Sequence, residues 1–123
     1  MPTAPSAKLR VVLDTNLYIS AFTHPRGPAF QVWKTARERR YLLLVSPAII
    51  REVAAVLREQ FAWEEEQVAR RVKLVAKLAV LECAVAGKAD LVVSGDQHLR
   101  RLKIFQGIPI VSPRDLLRTL GMP

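Results

Sequence analysis

The stretch Leu9-Arg-Val-Val-Leu-Asp-Thr-Asn16 decides the fold class. Its apolar, β-branched centre is typical of a buried strand, and the Asp-Thr-Asn that closes it favours a helix cap over continued strand. The next apolar run, residues 41–45, is followed by Ser46-Pro47, which supplies a cap and a proline for the first helical turn. Both predicted strands therefore lead directly into a helix.

The same alternation continues along the chain. Further strands are predicted at residues 89–94 and 108–111, and helices at residues 17–22, 29–40, 47–60, 63–86, 97–103 and 113–120, with residues 63–86 forming one long helix or two. This order predicts an α/β fold, a three-layer α/β/α sandwich around a short, mainly parallel sheet of four strands. We expect one domain over residues 9–123 and a disordered leader over residues 1–8.

The composition favours a polyanionic partner and no membrane. The chain has 123 residues, with 19 Lys and Arg against 11 Asp and Glu, a net charge of +8 that attracts nucleic acid. Its apolar runs are far shorter than the roughly 20 residues that cross a bilayer. Cys83 is the only cysteine, so no internal disulfide forms, and we expect a buried thiol in a reducing, cytoplasmic compartment rather than a nucleophile.

Three carboxylates are expected at one edge of the sheet. In an open parallel sheet, ligands bind beyond the carboxyl ends of the strands. Asp14 closes the first strand, Asp96 follows the third, and Glu52 lies six residues after Ser46. Oxygen ligands without His or Cys suit Mg²⁺ or Mn²⁺ rather than zinc, and such an ion activates water for attack on a phosphodiester. Ser46 and Ser94 end strands nearby and are expected to orient a water or a ligand carboxylate.

Each of these residues has a plainer interpretation. Asp14 and Asp96 could merely cap the helices that follow them, and lone serines commonly do the same. Asp90 opens the strand that Asp96 follows, so it should lie at the opposite end of the sheet and be structural. Asp115 falls in the first turn of the last helix, where the helix dipole explains it. A glycine-rich turn of the Rossmann type is absent, since Asp14-Thr-Asn16 occupies that place.

Taken together, four motifs resemble the PIN domain family, in particular the toxins of type II toxin-antitoxin pairs (VapC-like). Val11-Val-Leu-Asp-Thr-Asn16 is similar to the opening strand, and Ser46-Pro-Ala-Ile-Ile-Arg-Glu52 to the second motif. Residues 81–99, Leu-Glu-Cys-Ala-Val-Ala-Gly-Lys-Ala-Asp-Leu-Val-Val-Ser-Gly-Asp-Gln-His-Leu, resemble the most distinctive stretch. Ile108-Pro-Ile-Val-Ser-Pro113 is similar to the closing strand and cap.

The resemblance implies a metal-dependent endoribonuclease that hydrolyses RNA phosphodiester bonds. Its catalytic, metal-binding residues would be Asp14, Glu52 and Asp96, with Mg²⁺ or Mn²⁺ as cofactor and Asn16 and Ser46 in support. The resemblance also implies a homodimer that is held by an antitoxin protein.

The chain departs from the family's pattern between residues 67 and 81. Relatives place another aspartate there, in an acidic segment preceded by an additional edge strand, and this chain has no acidic residue in that stretch. We therefore expect the helix that starts at Trp63 to run into the next one, with the edge strand missing. Glu82 is the candidate to replace the lost carboxylate. The alternative is a catalytically weakened or inactive PIN-like module that binds RNA or a protein.

Two groups of basic residues are candidates for binding an RNA backbone. They are Arg37, Arg39 and Arg40 in one cluster and Arg100 and Arg101 after Asp96 in the other. For the first cluster, a solvated helix face explains the charges equally well. The aromatic residues Phe22, Phe30 and Trp33 form either part of the core or part of a protein interface.

Overall fold

In the computed structural model, residues 8–81 and 89–122 are described, and they form six strands and six helices. The strands are β1 (Arg10–Leu13), β2 (Leu42–Val45), β3 (Val80–Leu81), β4 (Leu91–Val93), β5 (Ile104–Phe105) and β6 (Ile108–Val111). The helices are α1 (Thr15–Thr23), α2 (Pro28–Arg37), α3 (Pro47–Phe61), α4 (Glu65–Leu78), α5 (Gln97–Arg101) and α6 (Pro113–Thr119). Within these ranges no helix is long and apolar enough to span a bilayer.

The sheet is parallel except at one edge. Five strands run parallel in the order β3-β2-β1-β4-β6, and β5 pairs antiparallel with β6. In the centre, Val12 of β1 pairs with Leu44 of β2 on one side and Val92 of β4 on the other. The strand order therefore reverses between β1 and β4, and open α/β sheets bind ligands at such a switch point. The predicted α/β class with a mainly parallel sheet is confirmed.

The sheet has two short strands beyond the four that the sequence predicts. Val80 and Leu81 pair in parallel with Leu44 and Val45 of β2, so the edge strand expected to be missing is present. The helix expected to continue past residue 78 ends there, because Ala79 adopts an extended conformation (φ −100°, ψ 152°). A strand of two residues shows no alternation in the sequence, which is why the pattern gives no sign of it.

The two faces of the sheet are buried by different residues. On one face, Val11, Leu13 and Leu43 join a large core with buried side chains of α1, α2, α3, α4 and α6. On the other face, Val12 and Leu44 pack with residues of α5 and β6 in a smaller cluster. Each fully buried Leu or Val contributes about 1.5–3 kcal/mol relative to an exposed one. The successive residues of β1 thus alternate between two apolar layers, as a strand covered on both faces requires.

Polar caps start four of the helices just after strands. The side chains of Asp14, Ser46, Asp96 and Ser112 each accept a hydrogen bond from a backbone N–H in the first turn of α1, α3, α5 and α6. The Ser112 N–H donates to Asp115 Oδ2 at 3.3 Å, which closes a capping box. The structural interpretation of Asp115 is confirmed. Because parallel strands end at one edge of the sheet, these caps concentrate polar side chains there.

Candidate active site

Three carboxylates line one cleft at the carboxyl edge of the sheet. Asp14 follows β1 and Asp96 follows β4, on the two sides of the switch point, while Glu52 reaches the cleft from α3. The cleft has a volume of about 440 Å³, and Asn16 and Ser46 also line it. The structure therefore brings together the three candidate metal ligands and two of their three candidate supporting residues.

The side chain and the backbone N–H of Asp14 are held in place by three hydrogen bonds. Its backbone N–H donates to the carbonyl of Val93 at 3.1 Å, which ties the end of β1 to β4. Its Oδ1 accepts from the Leu17 N–H at 2.9 Å, and its Oδ2 accepts from the Ser94 hydroxyl at 2.5 Å. The side chain is partly buried, so its position is fixed before any ligand arrives.

The environment of Asp14 disfavours its negative charge. Burial raises the pKa of Asp14 above its ordinary value, the hydrogen bonds from Ser94 and Leu17 lower it, and the charges of Asp96 and Glu52 raise it again, with an upward shift as the net result. A cation in the cleft would offset this repulsion and compensate for the desolvation of the Asp14 carboxylate.

Ser94 links the carboxylate of Asp14 to the backbone of Asp96. It is completely buried. Its Oγ donates to Asp14 and accepts the Asp96 N–H at 3.0 Å, and its own N–H donates to the Val111 carbonyl at 3.0 Å. These two side-chain bonds require a hydroxyl, which can donate and accept at once, whereas an aliphatic side chain can do neither. Ser94 thus contacts Asp14 in the way expected of a supporting residue.

The plainer interpretation of the aspartates also holds in part. Asp96 caps α5 by accepting the His98 N–H at 2.8 Å, just as Asp14 caps α1. Each ionised carboxylate offers about four lone pairs, so a capping bond leaves capacity for a metal ion. Glu52 is exposed and stands on α3. The cap of that helix is Ser46, whose Oγ accepts from the Ile49 N–H at 3.1 Å. Capping and ligand binding are therefore compatible in this cleft.

The donor set suits a hard divalent cation. The cleft offers carboxylate oxygens and no His or Cys among its described lining residues, which matches Mg²⁺ or Mn²⁺. In the described part of the chain, however, no three Asp, Glu, His or Cys side chains are arranged to hold a metal ion together. Mg²⁺ commonly takes one or two carboxylates and completes its shell with waters and substrate phosphates. The residues fit an ion of that kind. Glu82 and Cys83 lie outside the described residues.

The two basic clusters lie in different places. Arg37, Arg39 and Arg40 precede β2, at the amino edge of the sheet and away from the carboxylates. The guanidinium of Arg40 donates to the Leu120 carbonyl at 2.9 Å. The structure therefore does not bring this cluster to the cleft. Arg100 and Arg101 stand on α5, four and five residues after Asp96, and neither lines the cleft.

An apolar wall of the cleft was not expected from the sequence. It consists of Val12, Ile49, Val92, Leu99, Phe105 and Ile110. Phe105 remains 43% exposed and reaches the cleft because β5 and β6 form a hairpin with positive φ at Gln106 (49°) and Gly107 (84°). The glycine is the one visible sign of this turn in the sequence. An exposed aromatic ring beside carboxylates offers a surface on which a base can stack.

Asp90 has the structural role that the sequence predicts. Its Oδ2 accepts from the Arg10 N–H at 2.8 Å, and its own N–H donates to the Arg10 carbonyl at 2.7 Å. These bonds join the amino ends of β1 and β4, at the edge opposite the cleft. The prediction is confirmed, and Asp90 is a suitable control for substitutions of Asp14.

Replacing Ser94 with alanine is expected to impair the cleft more than the fold. The change leaves Asp14 without its hydroxyl donor and the Asp96 N–H without its acceptor, at a cost of about 1–3 kcal/mol in unfolding free energy. Metal affinity should fall about 10–100-fold, as for other residues that orient a ligand. Calorimetric Mn²⁺ titration and urea unfolding measure both quantities. Thr35→Val removes another buried hydroxyl, outside the cleft, so equal metal affinity in the two variants would contradict the role of Ser94.

Comparison with known families agrees with this geometry. A family model described as PIN domain matches residues 10–79, more than half of the chain. The matched segment contains Asp14, Asn16, Ser46 and Glu52 and ends before the strand that leads to Asp96. No curated protein matches the chain significantly.

Proposed function

Because the chain belongs to the PIN domain family, whose members are nucleases that generally depend on divalent metal ions, we propose that it is a metal-dependent endoribonuclease. The observation that carries this proposal is the grouping of Asp14, Glu52 and Asp96 in one cleft at the switch point. Burial, and to a smaller extent the charges of Asp96 and Glu52, raise the pKa of Asp14, and a bound cation would stabilise the ionised carboxylate against both effects.

The residues of the cleft are assigned different roles according to their positions. Asp14, Glu52 and Asp96 are the proposed metal-binding carboxylates, one or two of them in direct contact with the ion and the rest acting through its bound waters. Asp14 is the principal ligand because Ser94 and the start of α1 fix its carboxylate. Asn16 and Ser46 orient water or phosphate at the mouth of the cleft. When bound, Mg²⁺ or Mn²⁺ supplies charge for the phosphate and lowers the pKa of an attacking water. Arg100 and Arg101, on the helix that Asp96 caps, are proposed to neutralise developing charge on the phosphate.

Glu82 is proposed as an additional ligand because of its position in the sequence. It follows β3 directly, and β3 lies beside β2 with its carboxyl end at the same edge as the cleft. Glu82 itself lies outside the described residues, so this proposal rests on its position in the sequence. A weaker affinity for Mn²⁺ in Glu82→Gln would support this assignment, and an unchanged affinity would remove it.

The biological role proposed is that of a toxin in a toxin-antitoxin pair, acting on RNA in the cytoplasm as a homodimer under the control of an antitoxin protein. Four motifs in family order support it, together with the net charge of +8. Sedimentation of the purified chain alone tests the homodimer, and sedimentation with a candidate antitoxin protein tests the second partner.

The experiment that tests the chemistry is cleavage of labelled single-stranded RNA with Mg²⁺, with Mn²⁺, and with a chelator in excess. Internal cleavage that requires either ion and spares DNA of the same sequence would support the proposal. RNA cleavage that persists in the chelator would contradict metal dependence, and the absence of cleavage under every condition would reject the nuclease assignment.

A second candidate function is a PIN-like module that binds RNA without cutting it. It is favoured by one specific observation, that no three-ligand metal group occurs in the described residues. The two candidates differ in a simple way. The module would bind RNA equally well with and without a divalent ion and would leave it intact, whereas the nuclease would cut it only when the ion is present.

A further inference from the structure

Three arginines line a second cavity, between the start of α2 and one side of α6. This arginine pocket has a volume of about 470 Å³, and Arg26, Arg114 and Arg118 line it together with Gln31 and Leu117. Arg26 precedes α2, while Arg114 and Arg118 stand four residues apart on α6 and so share one face of that helix. None of the described residues that line it is acidic.

The cations of the arginine pocket remain available to a ligand. Arg118 lies 3.4 Å from Asp115, but both side chains are largely exposed, with 78% and 50% of their surface accessible. Exposed pairs of this kind contribute at most about 1 kcal/mol, so a phosphate can compete for the guanidinium. Arginine also suits phosphate particularly well, because its planar fork can donate two parallel hydrogen bonds.

A third cavity joins the arginine pocket to the carboxylate cleft. This connecting pocket, of about 410 Å³, shares Asn16 and Asp96 with the cleft and Pro28 with the arginine pocket. It is also lined by Pro113, the residue before Arg114. The three cavities therefore follow one another along the surface, from the carboxylates past the starts of α2 and α6 to the arginines.

We propose that this path binds the RNA backbone on one side of the scissile phosphate, with Arg26, Arg114 and Arg118 contacting phosphates that are not cleaved. The inference rests on the proposed function only in that RNA occupies the cleft. A polyanion with regularly spaced phosphates is the ligand that the geometry favours, because a single small anion would fill the arginine pocket without using its connection to the cleft. This track is distinct from the cluster of Arg37, Arg39 and Arg40, which lines neither the cleft nor the two pockets.

The test is the binding of single-stranded RNA of about ten nucleotides, followed by fluorescence anisotropy in excess chelator over a range of salt concentrations. The double variant Arg26→Gln/Arg114→Gln is expected to bind about tenfold more weakly and to lose roughly 1.4 from the slope of log K against log salt, since each phosphate contact on a single strand contributes about 0.7. The control, Arg37→Gln/Arg39→Gln, removes the same charge and should change the affinity less than twofold.

Three outcomes decide the proposal. A selective loss in the Arg26/Arg114 variant, which disappears when the ligand is shortened to a dinucleotide, supports a track that begins at the cleft. Equal losses in both variants would show only a general attraction to the net charge and would overturn it, as would unchanged binding in both. Because the chelator prevents metal-dependent cleavage, failure of the nuclease assignment leaves this measurement intact. Matching thermal unfolding curves exclude misfolding as the cause.

Discussion

Replacing Asp14 with asparagine is expected to lower the rate of metal-dependent RNA cleavage by about a thousandfold, which corresponds to the several kcal/mol that a bound metal ion supplies. The amide keeps the size of the side chain and can still cap α1 at the Leu17 N–H. It removes the negative charge at the best-fixed position in the cleft. The rate of cleavage of a labelled RNA under single-turnover conditions measures the effect.

Asp90→Asn is the matched control for this variant. It makes the same chemical change at an exposed aspartate at the opposite edge of the sheet, so cleavage should remain within a factor of two of the parent. A loss in Asp90→Asn as large as in Asp14→Asn would mean that general effects of charge or folding, and not the cleft, explain the result.

The same substitution at Asp14 has an opposite effect on stability. Because the pKa of the folded carboxyl lies above its ordinary value of 3.8, ionising Asp14 costs folding free energy. That cost is absent below the unfolded pKa, grows as the pH rises through the folded pKa, and persists at neutral pH. Metal-free Asp14→Asn should therefore be at least as stable as the parent near neutrality and lose any advantage in acid. Urea unfolding of both proteins near neutral pH and in acid measures the difference in unfolding free energy and its sign.

Replacing Trp33 with alanine is expected to lower the unfolding free energy by about 3–5 kcal/mol, the usual cost of removing a fully buried aromatic side chain. Trp33 is 1% exposed and packs edge to face on Phe22, with ring centroids 5.2 Å apart, and on Tyr18 at 6.2 Å. These contacts join α2 to α1, the helix that Asp14 caps. Urea unfolding followed by circular dichroism measures the loss.

The control for this variant is Phe61→Ala, at an aromatic residue that is 42% exposed at the end of α3. It should change stability by less than about 0.5 kcal/mol. If the aromatic residues instead formed a protein interface, the opposite result would be expected. Trp33→Ala would then leave the stability of the monomer nearly unchanged and weaken association. The burial of Trp33 and Phe22 in the core favours the first result.

The parts of the fold that the sequence predicts well are those with strong local patterns. β1 and β2 are continuous apolar runs, and Ser46-Pro47 and Ser112-Pro113 mark the starts of α3 and α6, so their bounds are close to the prediction. The short edge strands could not be predicted, because two residues contain no period and their pairing depends on a neighbour that is remote in the chain. Tertiary context alone ends α4 at Leu78.

The candidate site also has parts that the sequence predicts and parts that it does not. Asp14 and Asp96 could be placed together from one rule, that parallel strands end at a common edge, and Glu52 from its position in the helix after β2. Phe105 could not, since its approach to the cleft depends on a hairpin whose sequence signal is a single glycine. The arginine pocket has no signal in the sequence either. Clustering along the chain points to Arg37, Arg39 and Arg40, whereas the pocket brings together Arg26, which precedes α2, and two arginines of α6.

The measurement that tests the central claim most directly is calorimetric titration of Mn²⁺ into the purified protein, into Asp14→Asn and into Asp90→Asn. The cleft described here requires saturable binding in the parent and in Asp90→Asn, and its loss in Asp14→Asn. Absence of binding in the parent, or binding that survives in Asp14→Asn, would contradict a metal centre built on Asp14.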